Sequence, residues 1–227
     1  MSGEFAALAH NARWEVTRLL RSKRIWLLLI PVVAGPVGSG IADLYLRVPS
    51  AGTAEVLGLL ITAGLASLVV LDLTALAVGE DLALRTHYLT FALPQPRVAA
   101  LAGRLAVVVG GTLAVYGVGA VAVGGLANAL VAPSSTAPAP ILVPLHLAVG
   151  IVGLLVFLGG VTAAAGVVTR SASQALVAGI LAGVVAAGIG SLFLIEGRLT
   201  TLFPWALAAA GLVGFAWCLV QYGRIES

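Results

Sequence analysis

Between residues 79 and 104 the chain reads GEDLALRTHYLTFALPQPRVAALAGR. This stretch gathers Glu80, Asp81, Arg85, His87, Arg97 and Arg104, with Thr86 and two prolines, Pro94 and Pro96, among them. Acids and arginines mixed over so short a distance suit ion pairing with a second protein surface, where each charge meets its opposite. A solvated loop would have the same composition, so the surroundings decide between the two. Those surroundings are apolar: 60% of the 227 residues are hydrophobic and only 9% are charged. Asp72 is a second candidate, a single acid inside an apolar run. A carboxylate in such a place points either to a polar pathway or to a pairing residue on a neighbouring helix.

Other chemistries lack their residues. There is no Gly-x-x-x-x-Gly-Lys phosphate loop, no His-Glu-x-x-His pair and no Cys-x-x-Cys, so neither nucleotide hydrolysis nor a metal or cofactor is expected within this chain. The one cysteine, Cys218, excludes an internal disulfide. Ser39 is a poor nucleophile candidate, because an intramembrane serine protease of the rhomboid kind carries Gly two residues earlier and this chain has Val37. Asn128 and His146 have no evident catalytic companion, and Asp43, Arg47 and Glu55 read as solvated. A single embedded acid also makes a poor ion relay, which counts against a secondary carrier.

The elements that hold these residues follow from the solvent. A mean hydropathy of +1.11 places the chain in a membrane. There every backbone polar group must be satisfied internally, and without alternating ten-residue stretches the spans are helices, not barrel strands. Apolar runs near 25–46, 56–78, 99–131, 142–168, 175–195 and 202–222 are each long enough for one crossing, so the fold class is all-α with six transmembrane helices. With the N-terminus inside, ten of the twelve basic residues fall on the cytoplasmic side and only Arg47 and Arg198 fall outside. The positive-inside rule therefore puts both termini in the cytoplasm of a multi-pass cell-membrane protein. The basic excess reflects this topology, and no nucleic-acid partner is expected.

Residues 1–24 read as an amphipathic helix, with Phe5, Leu8, Ala9, Ala12, Val16, Leu19 and Leu20 at helical spacing and Trp14 and Trp26 near headgroup level. With no evident core of its own to join, that helix is expected to lie along membrane lipid, and the run after it is too long for a cleaved signal. Residues 25–227 then form the six-span domain. Pro31 and Pro36 are expected to kink the first span. The third is longer than a bilayer requires, so its first turns project from it. GILAG, from Gly179 to Gly183, is a small-residue packing face, either within the chain or between two copies. Within the charged segment, positions 81–93 suit a short helix ended by Pro94 and Pro96, with a new helix restarting at Arg97. The product is a stiff lever running into the third span.

On these residues the sequence resembles the six-span permeases of ABC exporters, the type-2 superfamily of drug, polysaccharide and haem-export membrane subunits. Such permeases carry acids, Gly-Thr, leucines, Pro-x-x-Arg and a closing Gly-Lys at this place. Here Glu80 and Asp81, Thr86, Pro94 with Arg97, and Gly103 with Arg104 keep that frame, while Arg85 replaces glycine and Arg104 replaces lysine. The resemblance covers essentially the whole chain. It implies a non-enzymatic permease that works with a second copy or a homologous permease and with separate ATP-binding subunits, which hold ATP and Mg. It further implies that Glu80, Asp81, Arg85, Thr86, Pro94, Arg97 and Arg104 form a coupling helix on that ATPase, with TRSASQ at 169–174 as a smaller contact and Asp72 in the pathway. EGRLTT, at 196–201, is shorter than the re-entrant outer hairpin that many members have between spans five and six. A haem-export permease for cytochrome c maturation, and a non-transport anchoring or sensing subunit, are the other readings open at this point.

Overall fold

The computed structural model describes residues 2–21, 24–46, 51–80, 82, 97–131, 145–196 and 202–224. All the elements among them are helical: α1 (Ser2–Arg21), α2 (Ile25–Leu46), α3 (Ala51–Ala75) running into a π turn (Leu76–Glu80), α4 (Arg97–Val131), α5 (Leu145–Thr169), α6 (Ala172–Glu196) and α7 (Leu202–Arg224). Among the described residues, five stretches are long and apolar enough to cross a membrane: Glu55–Gly79, Val98–Gly125, Gly150–Thr169, Ala172–Ile189 and Leu202–Arg224. A sixth is obtained if Leu8–Arg21 and Trp26–Ile41, whose axes are bent by 72°, count as one broken span. α4 starts at Arg97, directly after the two prolines, and its 35 residues extend about 52 Å against a hydrocarbon core of roughly 30 Å. The expected 81–93 helix, the proline corner and the 196–201 loop beyond Glu196 lie outside the described residues.

α3 is the hub, packing on α2, α4, α5 and α6, while α5 makes its largest contact with α7. Three apolar clusters join these elements. Val70, Leu71, Tyr116, Leu155 and Leu158 link α3, α4 and α5 at mid-bundle. Val78, Leu82, Leu101, Val167, Cys218 and Tyr222 bring together the ends of α3, α5 and α7 with the start of α4. Leu19, Leu28, Leu73, Ala77 and Val108 tie α1 and the start of α2 to the same end. The N- and C-terminal helices α1 and α7 therefore approach one end of the bundle. The arginines at 18, 21, 24, 104, 170 and 224 belong to helix ends that collect there, and it is called the basic end below.

In lipid, large apolar side chains gain little by hiding from the solvent, so helix contact depends on close approach of small residues. Val121, Val184 and Val213 accordingly stand exposed, whereas Gly160, Gly211 and Gly214 meet backbone to backbone along the α5–α7 seam. A methyl group at Gly160 would strike the carbonyl of Gly211, and one at Gly211 would strike that of Val156. The GILAG stripe, open to two readings in the sequence, faces inward: Gly179 is set against Thr162 and Leu71, and Gly183 against Leu158. Buried hydroxyls close onto their own helices, as Thr62 Oγ1 donates to Gly58 O at 2.9 Å and Thr112 Oγ1 to Val108 O at 2.8 Å. Ser39 is buried against Gly58, a packing position.

Candidate functional site at the basic end

α1 departs from the sequence expectation. Its buried stripe is Asn11, Glu15 and Leu19, four residues apart, while Val16 and Leu20 of the anticipated apolar face are exposed. The core that α1 seemed to lack is the start of α4. Gly103 makes room for the contact: a methyl group there would lie 2.9 Å from the Leu8 carbonyl oxygen and 3.1 Å from Asn11 Cβ. Only a residue without Cβ lets the two backbones come so near.

Burying Glu15 requires compensation, because an isolated carboxylate out of water is costly. Arg18, one turn on, supplies it: Nη2 and Nε donate to Glu15 Oε1 at 2.8 and 3.1 Å. Arg104 reaches from α4 on the other side, with Nε 3.9 Å from Glu15 Oε2. Glu15 is 0% exposed, the Arg104 side chain 7% and that of Arg18 27%. The Trp14 ring lies under both cations, 5.9 Å from the Arg18 guanidinium carbon and 5.3 Å from that of Arg104. Such contacts contribute about 0.5–2 kcal/mol each, more when desolvated. The cluster bolts α1 onto the first two turns of α4, the helix that emerges from the charged segment.

The other anticipated residues divide. Glu80 closes the π turn and Arg97 opens α4, so the two flank the charged segment at the basic end. Asp81, Arg85, Thr86 and Pro94 lie outside the described residues. Arg104, which the resemblance implies for the coupling helix, is turned inward to Glu15 and Trp14, because α1 covers the start of α4. Asp72 is half-buried at the end of a ridge of exposed residues on α3, Leu60, Gly64 and Leu68, at four-residue spacing. It has no hydrogen bond or ion pair among the described residues.

The 169–174 segment is tighter than a loop. α5 and α6 are joined by Arg170 and Ser171 alone, with Arg170 in the left-handed region at φ 51°. That conformation costs a non-glycine residue roughly 1–2 kcal/mol. Ser171 starts α6, its Oγ accepting from Gln174 N at 3.5 Å in an N-cap arrangement. Gly79 of the π turn lies against this link: a methyl group there would be 2.6 Å from Ala172 N. The lead-in to the charged segment and the exposed Arg170 turn are therefore neighbours on one face. π turns recur at functional positions, and this one carries the chain from α3 into the segment in question.

Sequence reasoning read Trp14 as a headgroup-level residue and missed its cluster with Glu15 and Arg18. Glu15 and Arg18 are three apart, and Asn11 and Glu15 four apart in line with Leu19, a polar signal overshadowed by the apolar stripe. Among the described residues no three His, Cys, Asp or Glu side chains converge as metal ligands would. The arrangement defines an all-helical bundle built to span a membrane, with a basic, tightly braced end. No protein-family model, no curated protein and no solved structure matches the chain.

Proposed function

We propose that this chain is the permease subunit of an ABC exporter, with its basic end in the cytoplasm and residues 79–104 forming a coupling helix on a separate ATPase. The observation that carries the reading is the contact of Gly79 with Ser171 and Ala172. It sets the start of the first segment expected to touch the partner, at Gly79, against the second, at 169–174. ATP-driven closure of two ATPases would push on that junction, and the brace from Trp14, Glu15 and Arg104 would pass the displacement to α1 and α4 together. Asp72, on an exposed ridge of α3, would then line a pathway between this chain and a second copy or a homologous permease.

Co-purification provides the test. The full-length chain is expected to carry with it the phosphate-loop ATPase encoded beside it. Combined charge reversal, Glu80→Lys with Arg97→Glu, is expected to reduce the bound ATPase at least tenfold while membrane insertion persists. Unchanged ATPase recovery from that variant would refute the coupling role. Persistence of the same cellular phenotype with no ATPase bound would favour the anchoring or sensing alternative.

A further inference from the structure

Trp14, Thr17, Arg18 and Arg21 line an open cup of about 370 Å³ on α1 that the transport reading does not use. They fall within two helical turns, at spacings that align them along one side. The cup has room for about ten water molecules at roughly 30 Å³ each, well beyond a single bound ion. The guanidinium groups of Arg18 and Arg21 line the cup, and Glu15, which pairs with Arg18, is itself shared with the buried Arg104, so positive charge is in excess there. Trp14 steadies Arg18 and Arg104 by ring contact. The Thr17 hydroxyl already donates to Arg13 O at 3.0 Å, and Arg18 already donates to Glu15 through Nη2 and Nε, so the exposed Arg21 is the guanidinium that a ligand would meet first.

We propose that this cup binds the phosphodiester of an anionic phospholipid. Guanidinium forks match phosphate oxygens two at a time, and the charge excess calls for an anion. The setting argues for a lipid over free phosphate: Leu20 on α1, and Trp26 and Leu29 at the start of α2, are exposed and offer apolar surface to acyl chains. The 72° bend between the axes of α1 and α2 sets the cup where a membrane-crossing helix meets one turned away from it. A cup at such a junction would sit at headgroup depth, where tryptophan and arginine are both at home. The site rests on the chain spanning a membrane and holds whether or not an ATPase joins it.

The test uses the full-length protein reconstituted in phosphatidylcholine vesicles doped with phosphatidylglycerol, then extracted in mild detergent, with retained lipid identified by native mass spectrometry. Wild type is expected to retain phosphatidylglycerol in preference to phosphatidylcholine. Arg21→Gln is expected to cut that retention roughly fivefold, and Arg21→Lys to restore most of it. Arg21 is exposed, so the melting temperature should stay unchanged. Equal retention of the two lipids, unaltered retention by Arg21→Gln, or a lipid loss that tracks a falling melting temperature would each overturn the site. Displacement of the lipid by inorganic phosphate would overturn the lipid as its occupant.

Discussion

Glu15→Gln tests the brace directly, because it removes one negative charge and keeps the side chain's shape. Taking away one member of a buried ion pair costs about 3–5 kcal/mol, since the other charge stays buried and uncompensated. The two arginines respond differently. Arg18 is 27% exposed and can turn to water, whereas Arg104 is 7% exposed and held by α4. Arg104 keeps the Trp14 ring at 5.3 Å, and its 3.9 Å separation from Glu15 is beyond hydrogen-bond range. Subtracting what the ring retains leaves an expected loss of about 2–3 kcal/mol, concentrated in the docking of α1 on α4. Amide hydrogen exchange reads this locally: protection from Asn11 to Leu19 should fall roughly 30- to 150-fold, with α5 and α7 unaffected. A double-mutant cycle with Arg104→Gln completes the measurement. The double variant should be less destabilised than the sum of the singles, because neither charge is then left alone. Additive losses, or wild-type exchange in Glu15→Gln, would refute the brace.

The remaining predictions concern α5, α7 and α3. Gly160→Ala and Gly211→Ala push a methyl group into facing backbone and should each cost about 3 kcal/mol in detergent unfolding, at the upper end for overpacking. Gly64→Ala has nothing within 4 Å and should be neutral or stabilising by up to about 1 kcal/mol; equal effects at the three sites would contradict the seam. Under the exporter reading, Asp72→Asn should lower transport in a reconstituted complex while raising stability by about 1–2 kcal/mol, because a half-buried carboxylate with no partner among the described residues is costly in lipid. If that variant alters neither property, Asp72 is neither a pathway nor a pairing residue.

Hydropathy alone located the apolar helices, with ends a few residues from those observed, because in lipid the apolar run and the helix are set by the same requirement. The restart at Arg97 was legible for a local reason: Pro94 and Pro96 cannot continue a helix. GILAG was ambiguous because a small-residue stripe has the same pattern whether it packs within a chain or between chains, and only the positions of Thr162 and Leu158 decided it. The buried face of α1 was hidden for the opposite reason. Asn11 and Glu15 look solvated until Gly103 and Arg104, some ninety residues away, are brought against them. The π turn carried no signal: nothing in the run LAVGE sets it apart from the apolar helix before it. For the candidate site, the sequence carried no sign that Arg104 would turn toward Glu15 and Trp14, because those residues lie some ninety positions away.

The glycine seam constrains how this molecule can move. With Gly160, Gly211 and Gly214 in backbone contact, α5 and α7 have no side chains between them to slide or re-pack at that crossing, so a rearrangement cannot shear them past one another there without opening gaps. They act as a single stiff plank. Any alternation of access must then take place along the borders of that plank, chiefly where α5 rests on α3 through Val70, Leu155 and Leu158, whose interlocking side chains can exchange rotamers at modest cost. α3 becomes the axle of such a motion, with the braced pair of α1 and α4 on one side and the plank on the other.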